Sequence, residues 1–187
     1  VLVPSYPYSV IFMFGCLAPY ITFLNARETN DVWYTAVLPV TKRESVLGKC
    51  LLVVFFQLFQ LLFSIPFAFL RNTMNIANNP VGLDATVAWY GFGFILYAVF
   101  DLVFLTAFYK SGYKVGKSFI LAAIPMVFLM VAIEATSYIP ALVWIDSYQP
   151  EHLFMQLPIL IVGIVCYGVL VPLAYRTSAK RFEKVDL

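Results

Sequence analysis

The side chains that could do covalent chemistry are few in this sequence and do not form a catalytic set. It contains a single histidine, His152, and three widely spaced cysteines, too few for a histidine-based relay or a zinc site. There is no GxSxG, P-loop or HExxH motif, and no carboxylate pair at helical spacing inside an apolar run. We therefore expect a protein without catalytic residues, metal or cofactor of its own.

Four polar residues lie within long apolar runs, where a charge or an amide is costly unless it is paired or faces water. Asp101 lies deepest, about two helical turns from the end of its run. It is a candidate ion or translocation-path residue, and the favoured alternative is a hydrogen bond to a neighbouring helix. Glu134 lies one turn from the end of its run, where it can reach the interface or line a vestibule. Gln57 and Gln60 share a helix face, which favours bonds across a helix interface over a place in the path.

The elements that must position these residues are membrane spans. Of the 187 residues 62% are hydrophobic and 12% charged, about half the charged fraction of a soluble domain. The apolar runs are continuous and do not alternate, which excludes barrel strands. We predict a single all-α integral membrane domain with five transmembrane helices, at about 6–24, 46–70, 86–109, 119–138 and 153–175.

The distribution of basic residues predicts the orientation. Eleven of the twelve Lys and Arg lie in segments 25–49, 110–118 and 176–187, and the opposite loops hold only Arg71. By the positive-inside rule these three segments face the cytoplasm, with the N-terminus of the chain outside. The chain opens at Val1 without a basic n-region, so we expect no signal peptide and an earlier span.

The longest polar segment, residues 25–49, is predicted to form a stiff cytoplasmic elbow. Its first half can form a helix along the membrane surface, with Trp33, Val37 and Leu38 on one side and its polar, charged face toward the cytosol. Pro39 should end this helix. Thr41 followed by Glu44 is then a capping-box pattern that starts the second span. The alternative is an ordinary basic loop whose charges only set the topology.

This segment also resembles a known family. Glu28, Trp33 and the run LPVTKRESVLGK from Leu38 to Lys49 are similar to the E…W…LPVSRKE…KY pattern of small ABC-2-type transporter permeases. Thr41 stands where Ser is usual and keeps the capping hydroxyl, whereas Cys50 stands where an aromatic residue is common. In hydropathy and loop order the resemblance covers the whole chain, minus the first of the six spans in the family.

The resemblance implies the membrane subunit of an ABC exporter in a bacterial cytoplasmic membrane. Such a permease pairs with a second copy, identical or related, and each binds a cytosolic ATP-binding subunit that carries the ATP and Mg²⁺. Its cargo would be an amphipathic peptide, a lipid, a drug or an ion. The residues that it assigns to coupling with the ATPase are Glu28, Asp31, Trp33, Lys42, Arg43 and Glu44.

Two other classes of function remain open at this point. A secondary carrier or channel would use Asp101 as an ion or proton site, without any ATPase. A membrane scaffold or sensor would use the same polar segment as a docking site, without transport. No basic tract interleaved with aromatic residues lies on a polar face, so nucleic acid is not an expected partner.

Overall fold

The structure is a computed structural model that describes residues 6–74, 79–111 and 114–184. Its elements are α1 (Val10–Glu28), α2 (Asp31–Val37), α3 (Lys42–Thr73), α4 (Val87–Lys110), α5 (Val115–Ala135), two 3₁₀ segments (Thr136–Tyr138 and Pro140–Asp146) and α6 (Pro150–Glu183). Five helices are long and apolar enough to cross a membrane, and these described ranges contain no strand. The predicted all-α membrane fold is confirmed. Parts of the loops and tail used in the charge count, at 75–78, 112–113 and 185–187, lie outside the described residues.

Two of the helices are longer than the apolar runs that predict them. The 32 residues of α3 and the 34 of α6 extend over about 48 and 51 Å, whereas the hydrocarbon core of a bilayer is about 30 Å thick. Most of the extra length of α6, and part of that of α3, lies at one end of the bundle, where α1 ends, α3 begins and α6 ends. We call this the elbow end, and the opposite end, with residues 79–86 and 136–149, the loop end.

Helix α4 forms the centre of the bundle and packs mainly against α6 and α5. Its buried aromatic residues meet those of α1: the Phe12 ring lies 4.4 Å from Trp89, and the Phe23 ring lies 5.2 Å from Phe104. The outer faces of α3, α5 and α6 are exposed and apolar, for example at Phe63. Such faces are expected where lipid is the solvent.

Helices α4 and α6 cross at two glycines. A Cβ atom added to Gly163 would lie 2.2 Å from the carbonyl oxygen of Gly91, and one added to Gly91 would lie 2.7 Å from that of Ile159. The two backbones therefore touch, as they do at small residues in membrane helix pairs. The glycines belong to different helices, so no spacing within one segment predicts their contact.

Candidate functional site

The polar segment at 25–49 folds into an elbow with a shorter surface helix than predicted. Residues 25–28 continue α1, which ends at Glu28. Asn30 has a φ of 54° and turns the chain, a left-handed conformation that Asn tolerates better than most residues. Helix α2 then covers only the seven residues Asp31–Val37, and Leu38, the residue before Pro39, is extended as expected. The left-handed turn at Asn30, which the helix pattern does not reveal, accounts for the difference.

The start of α3 is a capping box, as the sequence predicts. The backbone N–H of Thr41 donates to Oε2 of Glu44 at 2.7 Å, and the backbone N–H of Glu44 donates to the Thr41 hydroxyl oxygen at 3.3 Å. Two N–H groups at the helix start are satisfied reciprocally. The joint between α2 and α3 is therefore ordered by bonds within the elbow itself.

Two ion pairs order the elbow, one within it and one between it and the rest of the bundle. Lys49 lies 2.8 Å from Asp31, which joins α3 to α2, and Arg43 lies 2.5 Å from Glu183, which joins α3 to the end of α6. The side chains of Arg43 and Glu183 are 62% and 39% exposed, and pairs of this kind contribute about 0–1 kcal/mol. These pairs therefore orient α2, α3 and α6 at the elbow but add little to the free energy of unfolding.

The surface of the elbow carries apolar side chains that no described residue covers. The exposed fractions are 65% for Trp33, 72% for Tyr34, 86% for Val37 and 58% for Leu38. Glu28 is exposed beside them at the end of α1. We call these five residues the elbow surface. Exposed apolar side chains grouped at a polar end of a protein indicate a surface for contact with lipid or with a protein partner.

A polar cluster in the bundle interior joins three helices. Asp101 on α4 is fully buried and accepts a hydrogen bond at 2.8 Å from Nε2 of Gln57 on α3. The hydroxyl of Tyr167 on α6 donates to Oε1 of Gln57 at 2.8 Å. The second carboxylate oxygen of Asp101, Oδ2, has no hydrogen-bond partner within the described part of the chain. Tyr167 was not predicted, because a tyrosine in an apolar run carries no signal of its partner.

Gln60, one turn further along α3, makes a similar contact toward α1. Its Nε2 donates to the carbonyl oxygen of Ile11 at 2.6 Å, and its Oε1 accepts from the Tyr97 hydroxyl at 2.8 Å. Gln57 and Gln60 thus both bond across helix interfaces, the favoured interpretation from sequence. A role of either residue, or of Asp101, in a translocation path stays a prediction.

The loop end contains a buried ion pair that sequence reasoning missed. Arg71 lies 2.9 Å from Asp84, and both side chains are only 1% exposed. Arg71 also donates to the Tyr8 hydroxyl at 2.5 Å, and the backbone N–H of Asp84 donates to Oδ1 of Asp146 at 2.6 Å. One cluster thereby holds the N-terminal segment, α3, the 79–86 loop and the second 3₁₀ segment. The signal available in the sequence was that Arg71 is the single basic residue of the loops at this end.

Glu134 joins the same region by backbone contacts. Its Oε1 accepts from the N–H of Ser9 at 3.1 Å and its Oε2 accepts from the N–H of Leu83 at 2.8 Å. The carboxylate is only partly buried and connects the end of α5 to two other segments. These contacts give Glu134 a structural role at the loop end, and its proposed place in a vestibule or translocation path stays a prediction.

The loop end should become more stable as the pH falls toward 5, because of Asp146. Burial raises the pKa of Asp146 to about 6, with the charges of Asp84 and Glu134 adding to the rise, and the N–H of Asp84 and the charge of Arg71 opposing it. Burial also raises the pKa of Asp84, against the opposing charge of Arg71. An unfolded aspartate titrates near 3.9, so the folded protein binds the proton more tightly and gains stability as the pH falls through about 6.

Thermal unfolding of the detergent-solubilised protein between pH 7.5 and 4.5 measures this effect, with Asp146→Asn as the control. The melting temperature of the wild type, minus that of the variant, should rise on acidification. A difference that stays constant, or falls, would show that Asp146 does not titrate in this window.

The described architecture, five membrane-length helices with charged ends, defines a multi-pass membrane protein. Residues 3–182 match the family model described as ABC-2 family transporter protein. The chain therefore belongs to the ABC-2 transporter family, as the resemblance at the elbow predicted. No curated protein and no solved structure matches the chain significantly. Membership makes the chain a membrane permease subunit and not itself the ATPase, in a family that works with an ATP-binding subunit.

Proposed function

We propose that this chain is the membrane half of an ATP-driven exporter and that a separate cytosolic ATP-binding subunit docks on its elbow surface. The observation that carries the proposal is the exposed apolar group on α2, led by Trp33 and Val37. Exposed aromatic side chains are typical anchors of protein–protein interfaces. We propose that Trp33 and Val37 face this partner, although the sequence pattern alone would place them against the lipid surface. The excess of Lys and Arg in the segments of this end supports a cytoplasmic location.

The contacts of the elbow suggest how movement of the partner reaches the membrane. Asp31 and Lys49 tie α2 to α3, and the capping box at Thr41 keeps the joint ordered. Arg43 and Glu183 tie the start of α3 to the end of α6. A displacement of α2 would therefore move α3, and α6 would follow because α3 and α6 also pack against each other.

Inside the bundle the same two helices meet again. Gln57 of α3 bonds both Asp101 of α4 and Tyr167 of α6, so a shift of α3 against α4 would strain this cluster. We propose that closure of two ATP-binding subunits, with ATP and Mg²⁺ bound there, tilts α3 and α6 and opens a path between two permease copies. Export of an amphipathic peptide, lipid, drug or ion is the proposed result.

The structure supports different tasks for the six coupling candidates. Glu28 and Trp33 are exposed on the elbow surface and available for direct contact. Asp31 and Glu44 already have partners within the elbow and keep its shape. Lys42 and Arg43 form the first turn of α3, where Arg43 pairs with Glu183.

Copurification from native membranes tests the docking. In Trp33→Ser/Val37→Ser, two exposed apolar side chains of α2 are removed while the capping box and both ion pairs stay intact. Val143→Ser/Phe154→Ser is the matched control, because Val143 and Phe154 are 58% and 73% exposed at the loop end. We expect an ATP-binding subunit to copurify with the wild type and the control. The first variant should bind it about thirtyfold more weakly, since one interface anchor contributes about 2 kcal/mol.

Other outcomes would contradict the proposal in distinguishable ways. Equal retention of the ATPase by both variants would place its docking site elsewhere. Absence of any ATPase from all samples of stable protein would favour a carrier. In that case transport should follow a gradient, and Asp101→Asn should abolish its pH dependence.

A further inference from the structure

A cavity between α3 and α6 at the elbow end is lined by basic residues. Its lining consists of Arg43, Tyr175, Arg176, Ala179 and Lys180, and its volume is about 100 Å³. One water molecule needs roughly 10–15 Å³ by the same measure. The cavity therefore has room for a group of several heavy atoms, such as a phosphate.

The charge of this cavity is only partly compensated, because the single carboxylate of Glu183 interacts with three cations, Arg43, Lys180 and Lys42. Arg43 is paired with Glu183, but within residues 6–74, 79–111 and 114–184 neither Arg176 nor Lys180 forms an ion pair. Arg176 and Lys180 are four residues apart on α6, so they lie on the same helix face. Two neighbouring cations beside a third favour a ligand that offers several anionic oxygens.

The position of the cavity selects among such ligands. Tyr175 is the last residue of the long apolar run of α6, and Arg176 begins its polar end. Tyrosine at the end of a span lies at the level of the lipid headgroups. Basic pockets between spanning helices at this depth bind anionic lipid headgroups. We propose that this cavity is a binding site for the phosphate of an anionic phospholipid, independent of whether an ATPase docks on the elbow.

The bound phosphate would compete with Glu183 for Arg43. The guanidinium Nε and Nη2 atoms of Arg43 now donate to the two carboxylate oxygens of Glu183 at 2.5 and 3.2 Å. A phosphate offers the same fork geometry to arginine. Occupancy of the cavity therefore weakens the α3–α6 ion pair, and loss of Glu183 strengthens lipid binding.

Native mass spectrometry of the full chain in non-ionic detergent measures this binding. The probes are phosphatidylglycerol and phosphatidylcholine with identical acyl chains. In Arg176→Gln/Lys180→Gln the preference for phosphatidylglycerol should fall about 25-fold, which is roughly fivefold for each cation. The matched control is Lys110→Gln/Lys117→Gln, which removes the same charge from exposed positions of α4 and α5 at the same end, and it should keep the preference.

A second pair of variants tests the competition. Glu183→Gln should increase phosphatidylglycerol binding, whereas Glu28→Gln, the same change of charge elsewhere at this end, should not. If a test variant and its matched control change lipid binding equally, the proposed site is wrong, and the lipid is attracted by the general surface charge instead. Inorganic phosphate at the concentration of the lipid should leave lipid binding unchanged, and equally effective displacement would show a site for the free anion instead.

Discussion

Replacing Arg71 by methionine is expected to lower the free energy of unfolding by about 3–5 kcal/mol. Arg71 is the cation of the buried pair with Asp84, and both side chains are 1% exposed. Methionine fills a similar volume but leaves the carboxylate of Asp84 buried beside Asp146 without its counter-charge. The cost is that of an uncompensated buried charge, which exceeds the net value of the original pair.

The double variant Arg71→Met/Asp84→Asn separates this cause from simple loss of packing. An asparagine oxygen can still accept the N–H of Asn79, which Asp84 now accepts at 3.3 Å, and it carries no charge. Most of the lost stability should therefore return. Arg27→Met, at an exposed position of α1, is the control for removing an arginine and should change stability by less than about 0.5 kcal/mol.

Denaturant unfolding in detergent, followed by tryptophan fluorescence, gives these free energies. Trp89 is fully buried in the core, and Trp144 packs against the core two residues before Asp146, so both report on the relevant region. If the single and double variants lose the same stability, the volume of Arg71 matters and its charge does not.

Replacing Gly163 by valine is expected to destabilise the bundle by about 3 kcal/mol or to prevent its folding. A Cβ at this position would lie 2.2 Å from the carbonyl oxygen of Gly91. Backbone atoms cannot rotate away as the end of a flexible side chain can. The two helices must separate, and with them the most extensive helix contact of the bundle is lost.

Gly168→Val on the same helix is the matched control, because a Cβ there meets nothing within 4 Å. The two variants make the same chemical change in the same apolar helix and differ only in what the new side chain meets. Denaturant titration should show the loss of about 3 kcal/mol for Gly163→Val only. The yield of monodisperse protein should fall for the same variant only. Equal losses would mean that the change in helix propensity, and not the α4–α6 crossing, controls the result.

A separation of α4 and α6 should also reach the interior cluster. Tyr167 lies one turn beyond Gly163 on α6 and donates to Gln57. If α6 moves outward, this bond is lost before the Gln57–Asp101 bond, which α6 does not contribute to. The contact between Gly91 and Gly163 therefore stabilises the fold and also keeps Tyr167 within reach of Gln57, as the proposed movement requires.

The two ends of the bundle are held by different kinds of interaction. At the loop end a buried ion pair and several backbone-to-carboxylate bonds tie segments from across the chain. At the elbow end the Arg43–Glu183 pair is exposed and contributes little to stability. An exposed pair can break and reform at small cost, which suits the end that we propose to move with a partner. We propose that the loop end stays fixed during that movement.

The sequence by itself determined the number of spans, the local structure at the start of α3 and the family. Each depends on residues that are close together in the chain. An apolar run long enough to cross a bilayer is readable from composition, and Thr41 and Glu44 contact each other because they are three residues apart. The predicted length of the surface helix was inaccurate for a local reason as well: the left-handed turn at Asn30 interrupts the helix and leaves only α2.

Only the tertiary structure decided which helix faces meet. In a soluble protein the buried face of a helix is apolar and the outer face polar, so the pattern identifies the core. In lipid both faces of a helix are apolar, so hydropathy does not show which face packs inside. Nothing in the sequence pattern therefore predicts that Gly91 contacts Gly163 or that Arg71 pairs with Asp84. The partners of Gln57 were equally hidden, because Asp101 and Tyr167 lie on two other helices. Their contacts depend on how the spans are arranged in the bilayer, and hydropathy does not encode that arrangement.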